Sequence, residues 1–154
     1  MLNLIYNISL LTNILLWAYP GLLTPPQSLV AFWTNLHLST VSSDGRILEL
    51  ANGTKFLGSD SWRGELFIRS CYEKLWDTVQ GLVESGTRRI LITGNPGIGK
   101  SCFGLYALRM LAVKRAIVVW QRSRSDSRYL FDGDTVMEGT DTSFKQRLGE
   151  KSVW

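Results

Sequence analysis

Polar and apolar positions divide this chain at Asp44. No Asp, Glu, Lys or Arg precedes it, whereas charges are frequent after it. The stretch from Met1 to Leu23 is rich in Leu and Ile but is broken by Asn3, Asn7, Ser9, Thr12, Asn13 and Pro20. Its longest unbroken apolar run, Ile14 to Tyr19, is far short of the about 20 residues that cross a bilayer, so no integral membrane span is expected. A positive leader and a small-residue cleavage site are both missing. Two readings of residues 1–43 fit: a weak signal or membrane-surface segment, or a non-functional extension arising from a misassigned start codon. Thr24-Pro25-Pro26 reads as the linker that follows.

After Asp44 the periodicity predicts elements. Ile47 to Ala51 and Thr54 to Leu57 flank Asn52-Gly53, the strongest short hairpin signal. Between Glu65 and Val83 the apolar residues Ile68, Cys71, Tyr72, Leu75, Trp76, Val79, Leu82 and Val83 keep a helical period, and Ser85-Gly86 ends it. Arg89 to Thr93 is a short β-branched run of the kind that forms a buried parallel strand. From Cys102 to Val113 the residues Phe103, Ala107, Met110 and Leu111 share one helical face. Ala116 to Trp120 is a second buried-strand candidate, and Tyr129-Leu130-Phe131 leads into the turn residues Asp132-Gly133-Asp134. Strand, helix and strand within about 30 residues make a βαβ unit. The expected fold class is α/β: a partial, three-layer, parallel-sheet P-loop NTPase with an N-terminal hairpin and helix. Residues 1–43 are then an extension, 44–86 the hairpin and helix, and 87–154 the front of the NTPase domain. A complete domain of that kind takes about 100–150 residues, so this one reads as incomplete.

Composition narrows the chemistry. At 154 residues, 45% apolar and 19% charged, the chain is built for a core rather than for disorder. A net charge of +4 suits polyanions without singling out nucleic acid. Cys71 and Cys102 each fall on an apolar helix face, which argues against a disulfide framework or a zinc site. The single histidine, His37, has no Ser, Cys or Asp arrangement beside it. Asn7-Ile8-Ser9 and Asn52-Gly53-Thr54 are sequons, a pattern common by chance. Arg122, Arg124 and Arg128 gather between the last strand candidates, either as a phosphate or nucleic-acid contact or as a solvated hairpin tip.

The strongest chemical signal is Gly94-Asn95-Pro96-Gly97-Ile98-Gly99-Lys100-Ser101, which carries every fixed position of a Walker A loop. Glycines let successive backbone N–H groups turn toward one anion with no Cβ in the way. Lys100 supplies a point charge for the β- and γ-phosphates, and the Ser101 hydroxyl is the expected Mg²⁺ ligand. Cys102 continues the binding segment into the helix, whose N-terminus favours an anion. Pro96 fixes its own φ and biases Asn95 toward an extended shape. The cofactors implied are ATP and Mg²⁺; no guanine-reading pattern accompanies the loop.

Phe67-Ile68-Arg69-Ser70-Cys71-Tyr72 with Leu75-Trp76, then the loop, then Tyr129-Leu130-Phe131-Asp132 resembles the P-loop ATPase module of Crinkler effectors. A similar module occurs in trypanosome retrotransposon hot-spot proteins. The resemblance spans about residues 60–135. It implies phosphate and Mg²⁺ roles for Gly94, Gly99, Lys100 and Ser101. It also implies a secreted protein acting in a host cell, often in the nucleus, with a host protein or nucleic acid as partner; otherwise the chain reads as intracellular. The N-terminus lacks the family's Leu-Phe-Leu-Ala-Lys type of translocation motif, and no C-terminal effector domain follows.

Hydrolysis needs an acid at the end of an apolar strand to organise Mg²⁺ and water. Asp132 is the candidate, after only three apolar residues. Three readings stay open: an NTP-hydrolysing enzyme, a nucleotide-dependent interaction or switch module, and a non-catalytic truncated fragment.

Overall fold

A computed structural model describes residues 22–121 and 126–144. The protein is mixed α/β, with two small antiparallel sheets of three strands each. In chain order the elements are α1 (Gln27–Leu36), β1 (Thr40–Val41), β2 (Ile47–Glu49), β3 (Glu65–Phe67), α2 (Tyr72–Glu84), α3 (Lys100–Val113), β4 (Val118–Gln121), β5 (Arg128–Asp132), β6 (Thr135–Gly139) and a final turn of helix, α4 (Asp141–Phe144). Sheet order is β1-β2-β3 and β4-β5-β6, and each neighbouring pair is antiparallel.

The parallel βαβ unit expected around the Walker A loop is therefore not formed among the described residues. Arg88 to Asn95 lies in no strand, and Leu91 is 85% exposed. Downstream, β4 pairs with β5 and β5 with β6 through short connections. Closing a local hairpin costs less chain entropy than closing a crossover, and Asp132-Gly133 supplies the turn, with Gly133 at φ +55°.

Residues 27–43 belong to the fold rather than to an extension. Leu29, Phe32, Trp33 and Leu36 recur at helical spacing and are all buried. A helix start suits Pro26, whose carbonyl accepts from the Leu29 and Val30 amides at 2.9 and 3.2 Å. Within α1 the apolar face is therefore a core face rather than part of a separate segment. Residues 1–21, with the Asn7 sequon and the apolar run, lie outside the described residues. Among the described residues no helix is long and apolar enough to cross a membrane.

The Asn52-Gly53 hairpin also differs from expectation. Both residues take left-handed backbone, at φ 56° and 64°, so the chain does reverse there. Thr54 to Leu57 does not return as a strand, because Phe56 is drawn completely into the core beside Phe32, with ring centroids 5.9 Å apart. A second reversal at Leu57-Gly58 follows, and β2 pairs with Glu65–Phe67 instead. Gly58 passes directly under α1; a methyl group there would lie 2.5 Å from the Leu29 amide nitrogen.

The helix expected from Glu65 is likewise shorter. Its first residues form β3, with Leu66 inward and Glu65 and Phe67 outward, and α2 begins at Tyr72. Its end is as expected. Gly86 at φ +90° donates to the Val83 carbonyl and Thr87 to the Leu82 carbonyl, both at 2.9 Å, which is a Schellman closure.

Helix α3 is the hub. Phe103, Leu105, Tyr106, Leu108, Leu111 and Ala112 are buried around most of its circumference, beyond the single stripe that the periodicity implied. They join α1, Leu48 and Leu66 of the first sheet, and Val118, Phe131 and Val136 of the second in one core. Leu130, pointing the other way along β5, packs with Leu22 and Phe144. Lys100 opens this helix.

Candidate functional site at the start of helix α3

Gly94 to Gly99 forms the turn that feeds α3. Gly94, Gly97 and Gly99 stand at φ 149°, 78° and 91°, conformations that L side chains rarely adopt. Gly99 is the N-cap; its carbonyl accepts from the Phe103 amide at 2.9 Å and so opens the helix. A helix start leaves its first amides without intrahelical partners and gathers positive dipole. No acidic residue occupies the first turn and no side chain caps it.

Lys100 folds back across the loop. Its ammonium donates to the Gly94 carbonyl at 2.8 Å and to the Asn95 carbonyl at 2.9 Å. The half-buried Lys100 is thereby held against the loop backbone. Asn95, Pro96, Gly97 and Ile98 are exposed along the rim, with the Ile98 amide donating to the Asn95 carbonyl at 3.3 Å. Ser101 is exposed on the first turn of α3 beside Lys100, while Cys102 is half-buried against the core. Both cysteines are free thiols.

Two residues that the motif does not contain complete the site. Tyr72, at the start of α2, donates its hydroxyl to the Gly99 carbonyl at 3.0 Å. Its ring meets Phe103 edge-on at 5.5 Å and Tyr106 at 5.6 Å. Burial pushes the Tyr72 phenol above its usual value and the nearby Cys102 adds to this, so it remains a donor across the neutral range. Arg69 lies in the connection between β3 and α2, and Gly99 is bare because of both neighbours. A methyl group there would lie 2.9 Å from the Tyr72 hydroxyl and 3.2 Å from Arg69 Nε. Sequence reasoning missed these roles, although both residues sit in the Phe67–Tyr72 stretch that carried the family resemblance.

Asp132 is not brought to the loop. It pairs with Thr135 at the β5–β6 turn, and the next turn residue, Asp134, approaches Arg115 at 3.8 Å just beyond the end of α3. Trp33, His37, Ala112, Arg115, Gly133 and Asp134 line a small cleft at that same end. Fourteen residues of helix rise roughly 20 Å, which separates this turn from Lys100. The candidate catalytic acid thus stands at the wrong end of α3, because β5 runs antiparallel to β4 and delivers its C-terminus away from the loop. His37 belongs to that distal cleft too.

The described residues at the end of β4 lie back along α3 toward its start. Trp120 stacks over Gly104, one turn into α3, where a methyl group would meet its ring at 3.2 Å. Gln121 pairs with Arg128 beyond it. Arg122 and Arg124 lie outside the described residues. Among the described residues no cluster of three His, Cys, Asp or Glu side chains is placed to hold a metal. Ser101 offers one exposed hydroxyl on the first turn of α3.

Compared with protein-family models, with curated proteins and with solved structures, the chain gives no match.

Proposed function

We propose that this protein binds a nucleoside triphosphate, ATP with Mg²⁺, through Gly94–Ser101, as the front part of a Crinkler-like ATPase or effector module. The reading retains the phosphate loop of a P-loop NTPase and gives up its parallel sheet. The observation that carries it is the Lys100 ammonium held inside the loop by the Gly94 and Asn95 carbonyls. Those bonds hold a positive charge at a helix N-terminus, where phosphate oxygens would take over as acceptors. In that complex Lys100 neutralises charge, the loop amides orient the polyphosphate, and Ser101 gives one ligand to Mg²⁺.

A second reading, a nucleotide-dependent switch or interaction module with negligible turnover, is favoured by the position of Asp132 roughly 20 Å from Lys100. Secretion, action in a host cell or its nucleus, and a host protein or nucleic-acid partner follow from the family resemblance and are part of the same proposal. Lys100→Ala tests the common premise. Calorimetric titration with Mg-ATP should show saturable binding by the native chain and none by the variant at unchanged melting temperature. Equal binding by both would overturn the reading. Turnover approaching the enzyme range of about 1 s⁻¹ or more would decide against the switch.

A further inference from the structure

We infer that Arg69 is a second phosphate-contacting residue of this site and that it makes binding depend on the number of phosphates. The inference rests on the phosphate reading of the Gly94–Ser101 loop. Arg69 is exposed, and its Nε and Cζ lie 3.2 and 3.5 Å from where a Cβ of Gly99 would be. Its guanidinium therefore lies across the N-cap of α3, next in sequence to Lys100.

That placement is electrostatically costly without a ligand. A cation at a helix N-terminus opposes the dipole, and a second cation on the adjoining residue repels it. Among the described residues neither Arg69 nor Lys100 has a carboxylate at ion-pair distance, unlike Lys55 with Asp60 and Arg115 with Asp134. The first turn of α3 also lacks an acid. Two cations and the unpaired first amides of α3 thus lie around Gly99 at one helix start, and in this inference a polyanion satisfies all of them together.

Backbone bonds on either side hold the main chain of Arg69 beside the start of α3. The Ile68 amide donates to the Arg46 carbonyl at 2.6 Å, tying this connection to the first sheet. The Tyr72 amide donates to the Arg69 carbonyl at 2.9 Å, which starts the turn into α2. A guanidinium presents paired N–H donors suited to phosphate oxygens, which an ammonium does not. In the proposed complex Lys100 and Arg69 take different phosphates, so AMP engages only one of the two cations.

The test compares ATP, ADP and AMP binding to the native chain, Arg69→Gln and Arg69→Lys, with melting temperature recorded for each. Arg69→Gln should weaken ATP by about 10- to 100-fold, the range for a charge-assisted hydrogen bond, and leave AMP little changed. Arg69→Lys should recover part of the ATP-to-AMP preference. A preference unchanged within about twofold in Arg69→Gln, while Lys100→Ala still abolishes binding, overturns this inference and leaves the loop reading standing. Failure of the native chain to bind ATP removes both.

Discussion

The Tyr72 hydroxyl donates to the Gly99 carbonyl across 3.0 Å and 27 positions of sequence. One bond thus joins the start of α2 to the residue that caps α3, so the Gly94–Ser101 loop is braced by an element outside its own motif. Gly99 O also accepts from the Phe103 amide, which makes this carbonyl a shared anchor for the loop and the helix.

Replacing Tyr72 with Phe should cost about 1 kcal/mol of stability, since the Gly99 carbonyl keeps its Phe103 partner and is not orphaned. ATP affinity should fall about fivefold as the loop loses its brace. Denaturant unfolding and calorimetric titration of the variant check the two numbers separately. An unchanged ATP affinity would mean that the brace is purely structural.

Gly99→Ala should be more damaging. A non-glycine residue in left-handed backbone costs about 1–2 kcal/mol, and the added methyl would lie 2.9 Å from the Tyr72 oxygen. The expected outcome is a lower melting temperature together with loss of ATP binding by more than about tenfold. Combining it with Tyr72→Phe should give less than the sum of the two losses, because the clash partner is gone.

Trp33 offers the opposite control. Its indole N–H donates to the Gly133 carbonyl at 2.8 Å and its ring stacks on Phe131 at 4.3 Å, clamping α1 to the β5–β6 hairpin. Trp33→Phe should cost about 1–3 kcal/mol through the lost bond and volume. Nucleotide affinity should stay as in the native chain, since this contact lies at the far end of α3 from Lys100. A paired loss of stability and affinity would show that the two ends of the helix are coupled.

Alkaline pH should loosen the core. Burial, chiefly, raises both the Tyr72 and Tyr106 phenols above their ordinary value of about 10. A raised folded-state value means that the neutral form is the one the fold favours. Its stabilisation is complete below about pH 10 and is lost as pH climbs through the raised values. Melting curves taken from about pH 8 to about pH 11 should fall most steeply at the top, and less steeply for Tyr72→Phe. Parallel falls in the two proteins would remove Tyr72 from that account.

Much of the site was legible because its chemistry is local. Glycine at Gly94, Gly97 and Gly99 is required by backbone angles within a few bonds, and the Lys100 ammonium reaches carbonyls only five and six residues away. The helix that follows, the Gly86 closure of α2 and the Asp132-Gly133 turn were legible for the same reason. Arg69 and Tyr72 were not, since nothing in their spacing from Gly99 announces a contact made across 27 or 30 residues.

Short-range rules on this chain therefore settled where the glycine turns at Gly86, Gly94 to Gly99 and Gly133 fall and that a helix follows the Gly94–Gly99 turn. Pairing was decided elsewhere. Arg89–Thr93 has the composition of a buried strand yet stays exposed at Leu91, while the charge-free Gln27–Leu36 becomes a core helix. Strand partners and buried faces depend on the free energy of the whole core around α3, in which Phe56 packs beside Phe32 and Trp33 on Phe131. No local window of residues contains that core, which takes Phe56 out of the Asn52-Gly53 hairpin and, with the β4–β5 pairing, sets Asp132 at the far end of α3.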